Sequence, residues 1–456
     1  MKTRPVSWLL AGLLVLAWAL PAAAGQQMDQ ILQKLEELTK TVNQQQQLLQ
    51  DQASEIQHLK GQLDQQAAEA AKKPAAPAAG TAAAAPGEKK QPLAASLKEL
   101  IGDKFTFSTD LRLRYEGLYD RQTPSGEIAD RHRFRYRWRV FGGYTLNDEL
   151  SFHSMLTTSS GSWFDDGANS RNWDPGRTSN QSMDDEFNNK NIFIGRIYAT
   201  YDPNWAPGLE ITAGKFKNTF LHTDIMWDPD VNPEGVYEKY QYDGWKVFQP
   251  FVQFGQMVVS ENNKTEDAYL LLWQGGANLN FTKDVIWTIA GSFYDWENPN
   301  KSDLSEVEGS SAGNTVGEDG KYLYDYRLAE GLTFLKFKVF KLPIMLWFDY
   351  IENVAGGVPD ANTTAWSTGF TVGKTKKKGD WELYFKYAYI EPDAVIGAVN
   401  DGDFYGANRE GYKVKGSYVL WDPVVFAISW FGTDTVEGPE NSEYRLQTDL
   451  IFRFSL

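Results

Sequence analysis

The stretch RHRFRYRWRV (131–140) decides how this chain folds. Phe134, Tyr136, Trp138 and Val140 occupy alternate positions, and Arg133, Arg135, Arg137 and Arg139 fill the gaps between them. A helix would scatter these residues around its axis. A strand, with its period of two, gathers the apolar set on one face and the arginines on the other. Upstream the pattern repeats: Phe105, Phe107, Thr109, Leu111, Leu113 and Tyr115 alternate with Thr106, Ser108, Asp110, Arg112, Arg114 and Glu116. Downstream, Trp381, Leu383, Phe385, Tyr387 and Tyr389 oppose Glu382, Tyr384 and Lys386, and Tyr412, Val414 and Tyr418 oppose Lys413, Lys415 and Ser417. The chain ends in the same way, with Tyr444, Leu446, Leu450, Phe452, Phe454 and Leu456 on one face.

About 16 such runs fit into residues 105–456, some 22 residues per strand and connection, as spanning strands of ~9–11 residues joined by loops require. Alternation alone does not separate a soluble sandwich from a membrane barrel, since each buries one face of every strand. The connections do. Short turns at Asn147-Asp148, Trp205–Gly208, Tyr242–Gly244, Thr282–Asp284, Lys341–Pro343, Lys377–Asp380 and Trp421–Pro423 interleave with long polar stretches at 160–190, 217–234, 297–321 and 391–409. An up-and-down barrel with tight turns at one membrane surface and free loops at the other has this rhythm. Tyr144, Tyr201, Trp205, Trp245, Trp381 and Trp421 lie beside the short turns, where an aromatic belt would meet the lipid boundary. The expected fold is an all-β transmembrane barrel of about 16 antiparallel strands, with an N-terminal helical coiled coil.

The first 104 residues hold only two of the 64 aromatic side chains. Residues 1–24 read as a secretory signal peptide: Lys2 and Arg4, an apolar run from Trp8 to Leu20, then Ala22-Ala23-Ala24. From 25 to 71, Met28, Leu35, Val42, Leu49, Ile56 and Leu63 recur every seven residues, with Ile31, Leu38 and Leu59 three positions on. Gln45, Gln52 and Gln66 interrupt this second row. A narrow, sustained heptad seam of this kind predicts a self-associating coiled coil without choosing between two strands and three. Residues 72–104 read as an Ala/Pro-rich linker followed by a short amphipathic piece.

The formal charge of −15 argues against a nucleic-acid partner. The absence of cysteine removes disulfides, thiolate metal sites and thiol nucleophiles. His58, His132, His153 and His222 are scattered, and none has a metal-ligand spacing to another. No glycine-rich phosphate loop precedes a helix. No cofactor, metal or catalytic residue is expected.

The runs TDLRLRYEG (109–117), RHRFRYRWRV (131–140), IYATYDP (197–203), AGKFKN (213–218) and WDPDVNPEG (227–235) lie behind a signal peptide and a Gln-rich heptad helix. Together they resemble the putative porin family of Gram-negative outer membranes. One departure is the final Leu456, where such barrels usually end in an aromatic residue; Phe454 and Phe452 stand just before it. The resemblance implies a water-filled channel for small hydrophilic solutes or ions. The partners would be outer-membrane lipid and, as a homotrimer, copies of the chain itself, with the N-terminal arm in the periplasm.

If the apolar faces meet lipid, Arg112, Arg114, Arg133, Arg135, Arg137 and Arg139 line the lumen, with Arg196 continuing the wall two strands on. An arginine facing hydrocarbon at mid-depth would cost roughly 2–4 kcal/mol. Two compatible roles follow: a ladder that exchanges an ion's hydration for guanidinium hydrogen bonds, and simple neutralisation by Asp110, Glu116 and loop carboxylates. By resemblance to porins whose third long loop narrows the channel, the segment 217–234 becomes the constriction, with Asp224, Asp228, Asp230 and Glu234 facing the arginines. The barrel portion has 34 basic and 50 acidic residues, so ion preference does not follow from counting. The alternative reading is an envelope tether whose barrel is plugged and whose coiled coil acts as a spacer.

Overall fold

Alternating strands with one greasy and one charged face cannot bury both in a flat sheet, and closure into a barrel gives each face its own surroundings. The computed structural model describes residues 102–455 apart from 103, 124–125, 128, 160–177, 184–186, 188, 264, 303, 305–310, 405 and 440. The expected signal peptide, the coiled-coil seam, nearly all of the linker, Leu456, and the loop carboxylates Asp165, Asp166, Asp184, Asp185, Glu186, Asp303, Glu306 and Glu308 lie outside those residues.

Sixteen antiparallel strands form the wall: β1 (Phe105–Tyr119), β2 (Arg131–Thr145), β3 (Leu150–Thr157), β4 (Phe193–Tyr201), β5 (Leu209–Lys215), β6 (Glu234–Gln241), β7 (Phe248–Ser260) and β8 (Ala268–Thr282) make the first half. The second half is β9 (Val285–Glu297), β10 (Tyr326–Val339), β11 (Leu342–Asn353), β12 (Thr364–Gly373), β13 (Trp381–Ile390), β14 (Arg409–Trp421), β15 (Val424–Asp434) and β16 (Glu443–Ser455). Each pairs with its neighbours in sequence, and β1 pairs with β16, with Arg114 opposite Asp449, to close the ring. The pair Gln181–Ser182 adds to the upper half of β2, beyond the reach of the shorter β3.

The connections sort as the sequence predicts. All seven expected short turns fall between an even strand and the following odd one, at the rim from which β1 starts and at which β16 ends. The long connections share the opposite rim. At the short-turn rim Trp205, Trp245, Trp381 and Trp421 are exposed.

The faces also sort. Phe107, Leu113, Phe134, Trp138, Val252, Trp273, Ile289, Phe348, Ile428 and Phe454 are exposed on the outside of the ring. Asp110, Arg114, Glu116 and Arg135, at alternate positions, are buried within it. The inside is not uniformly polar. From β6 to β13 the wall presents Tyr237, Met257, Leu270, Leu272, Tyr294, Trp296, Leu328 and Ile351 inward, where they pack with Phe216, Phe220, Ile225, Met226 and Trp227 of the β5–β6 loop. Tyr322 of the β9–β10 loop and Ala394–Ile396, Val399 and Phe404 of the β13–β14 loop complete this core. The two loops interlock through glycines: a Cβ on Gly313 would meet the Ala407 carbonyl oxygen at 2.0 Å, and one on Gly397 the Ala312 carbonyl oxygen at 2.1 Å. Gly313 also has φ +87°, a left-handed conformation suited to glycine.

Candidate functional site

Packing the loops against β6–β13 leaves an ionic cavity of about 590 Å³ along the remaining wall, lined by β1, β2 and β14–β16, Ser429 of β15 included, on one side and the loops on the other. Strand alternation aims Arg112 and Arg114 from β1, and Arg133, Arg135 and Arg137 from β2, into it. Arg114 makes a two-pronged pair with Asp449 of β16, Nε–Oδ1 2.7 Å and Nη2–Oδ2 2.9 Å, and reaches Asp403 of the β13–β14 loop at 3.2 Å. Arg445 holds the same Asp403 at 2.7 Å. Glu116, fully buried, accepts from Arg133 Nε and from Gln447 Nε2 at 2.9 Å. Asp110 bridges Arg137 at 3.2 Å and Arg139 at 2.7 Å.

The β5–β6 loop folds inward and distributes its carboxylates unequally. Asp230 comes within 3.8 Å of Arg137 and 3.6 Å of Arg139 and accepts from the Ser179 hydroxyl at 2.7 Å. Burial opposes its charge, but Arg137, Arg112 and Arg139 hold its carboxyl below the usual range. Asp228 lines the same cavity and accepts from the Asp230 amide at 2.7 Å. Burial, reinforced by Asp401 and Asp230, pushes the Asp228 carboxyl well above the usual carboxylate range. Asp403, although buried, is held well below it by Arg114 and Arg445.

Two expectations need correction, and Arg196 takes a partner of its own. Asp224 lines the same cavity but pairs with none of the arginines: its partner, at 2.9 Å, is Lys386, which β13 sends in fully buried. Glu234 opens β6 on the outward-facing set of positions, opposite Val258, and pairs there with Lys215, because Gly235 and Tyr237 take the inward ones. Arg196 does point inward, but it donates to the Asn232 side chain at 2.7 Å and so braces the foot of the β5–β6 loop. Arg139 sits at the cavity's margin with Asp110 and Asp230.

Several contributors escaped the sequence reading. Asp401 and Asp403 belong to a stretch taken for an external loop; Asp401 accepts from Lys413 at 3.4 Å, and Asp449 and Arg445 come from the last strand. The apolar run Ala394-Val395-Ile396 beside Asp401-Gly402-Asp403 was the available signal that this loop turns inward. His153 accepts or donates at 3.0 Å to Ser151 and stacks on Tyr198, away from the charged cavity.

The solved structure of OprB from Pseudomonas putida is 9% identical, aligns over 79% of this chain and 97% of its own, and gives a TM-score of 0.50. The outer-membrane channel DcaP of Acinetobacter baumannii is 12% identical over 77% and 97% of the two chains, with a TM-score of 0.45. OmpF of Salmonella typhi is 9% identical over 77% and 97%, with a TM-score of 0.45. No curated protein matches the chain. A family described as "Putative porin" matches residues 121–324 and 344–454, well over half of the sequence. With its closed sixteen-stranded barrel, this chain belongs to that family.

Proposed function

We propose that the protein is an outer-membrane porin, a passive channel for small hydrophilic solutes or ions, with its coiled-coil arm in the periplasm and three copies associating as a homotrimer. The observation that carries this reading is the ionic gap between the arginines of β1–β2 and the aspartates of the two inward loops. Fixed charges of opposite sign on facing walls make a transverse field that orients dipoles and favours polar solutes over greasy ones of equal size. Passage needs no energy input, because bound ions exchange hydration for guanidinium and carboxylate contacts and leave again.

Purified protein in planar bilayers should conduct, and Arg133→Glu and Arg135→Glu should each move the reversal potential in a salt gradient towards cation preference. Unchanged selectivity in both variants would remove the arginine wall from the account.

The plugging of the β6–β13 half by apolar loops favours the second reading, a tether whose barrel passes little. Under that reading conductance stays at background, while deletion of residues 26–90 disturbs envelope integrity.

A further inference from the structure

Most ionised groups around the cavity are matched. Arg114 has Asp449 and Asp403, Arg133 has Glu116 with Arg135 at its edge at 4.0 Å, Arg137 and Arg139 have Asp110 and Asp230, and Lys413 has Asp401. Two poles are left over. On the strand side, the Nε atoms of Arg112 and Arg135 are buried without a hydrogen-bond partner, and Arg135 is only 5% exposed. The other ends of both side chains lean on Asn180, whose amide oxygen accepts from Arg112 and whose backbone oxygen accepts from Arg135 at 3.3 Å. Neutral acceptors of this kind steer a guanidinium without cancelling its charge. Lys415 of β14 adds an ammonium to the same wall. On the loop side, Asp228 takes a single amide hydrogen bond, and no lysine or arginine of the described residues reaches it within ion-pair distance. The charges that bear on it most are Asp401 and Asp230.

Among the described residues Arg112 therefore has no carboxylate within ion-pair distance, Arg135 has only Glu116, at 4.0 Å and shared with Arg133, and Asp228 is flanked by its own sign; a buried charge short of counter-charge is costly. Opposite ions from solution could fill the two poles separately. One molecule carrying both charges fills them together and loses its freedom of motion only once. Such a molecule is neutral overall, so the balance of the rest of the cavity is undisturbed, and the transverse field aligns it in one orientation.

From these two under-matched poles in one cavity we infer that the channel carries a binding site for small zwitterions, with the carboxylate held by Arg112, assisted by the free Nε of Arg135, and the ammonium by Asp228. The inference rests on the channel reading and names its solute class.

The test uses the full chain in planar bilayers, with 4-aminobutyrate as probe and butyrate and butylammonium as its single-charge controls. The zwitterion should interrupt the potassium chloride current at concentrations at least about tenfold below either control, the size of one charge-assisted contact. Arg112→Gln and Asp228→Asn should each abolish that preference, and Arg112→Lys should retain most of it. Heat-modified electrophoretic mobility reports that each variant still forms its barrel. Equal block by butyrate and 4-aminobutyrate, with Asp228→Asn silent, would reduce the site to an anion site and overturn the inference. Block that survives both Arg112→Gln and Asp228→Asn would overturn it too. A wild-type protein that never conducts would fail the channel reading itself, and the inference with it.

Discussion

The barrel's interior has two halves built on different physics. Around β6–β13, strands and loops pack Tyr294, Leu272, Leu328 and Ile351 against Phe220, Met226, Val395 and Ile396, with Glu330, Asp349 and Lys386 buried among the inward side chains and each given a polar partner. Around β14–β16, β1 and β2, the same inward positions carry arginine, lysine and carboxylate. Non-directional apolar burial tolerates sliding and repacking. The ionic half depends on named partners at fixed distances, because a buried charge that loses its partner is left uncompensated. The difference teaches that the loops do two jobs: their apolar residues anchor them to one wall, and the anchoring delivers Asp228, Asp230, Asp401 and Asp403 to the other.

Breaking the ionic half should produce the largest effect. Arg114→Ala leaves Asp449 and Asp403 buried beside each other's field, and unfolding in detergent should show a loss of about 3–5 kcal/mol. In the apolar half, Leu328→Ala opens a cavity at a fully buried site and should cost about 2–5 kcal/mol, with ion selectivity unchanged. If Leu328→Ala moved the reversal potential while Arg114→Ala did not, the division of labour would be reversed.

A subtler change sharpens the contrast through pH. Asp228 has a carboxyl raised by burial and by Asp401 and Asp230, whereas Asp230 and Asp403 are held low by arginines. A raised carboxyl takes its proton first as pH falls. Acidification therefore removes negative charge at Asp228 before it does so at Asp230 and Asp403, and the reversal potential should shift towards anions at that first step. Asp228→Asn should start at the shifted value and lose the step. A step that persists in Asp228→Asn would assign it elsewhere.

Much of this molecule is legible in its sequence. Phe134–Arg135–Tyr136–Arg137 states which side chains face out and which face in, and the seven short turns fix the strand order of an up-and-down ring. Period and turn chemistry are local, which is why they read well. Pairings across the ring are not local. Arg114 and Asp449 are 335 positions apart, and Asp224 finds Lys386 across 162. In the stretch 391–409 length and polarity point to exposure, whereas Ala394, Val395 and Ile396 mark a buried face. Glu234, assigned by length to the loop 217–234, opens the following strand instead, and Gly235 begins that strand's inward row.

The central claim is that water follows the ionic half and is shut out of the apolar half. The natural lack of cysteine makes this directly measurable. Single cysteines introduced as Arg112→Cys, Ser429→Cys, Leu328→Cys and Ile351→Cys can be treated with a charged, membrane-impermeant thiol reagent during bilayer recording. The account predicts fast modification and a stepwise drop in current for the first two, and no reaction for the last two. Equal modification rates at all four positions would contradict it.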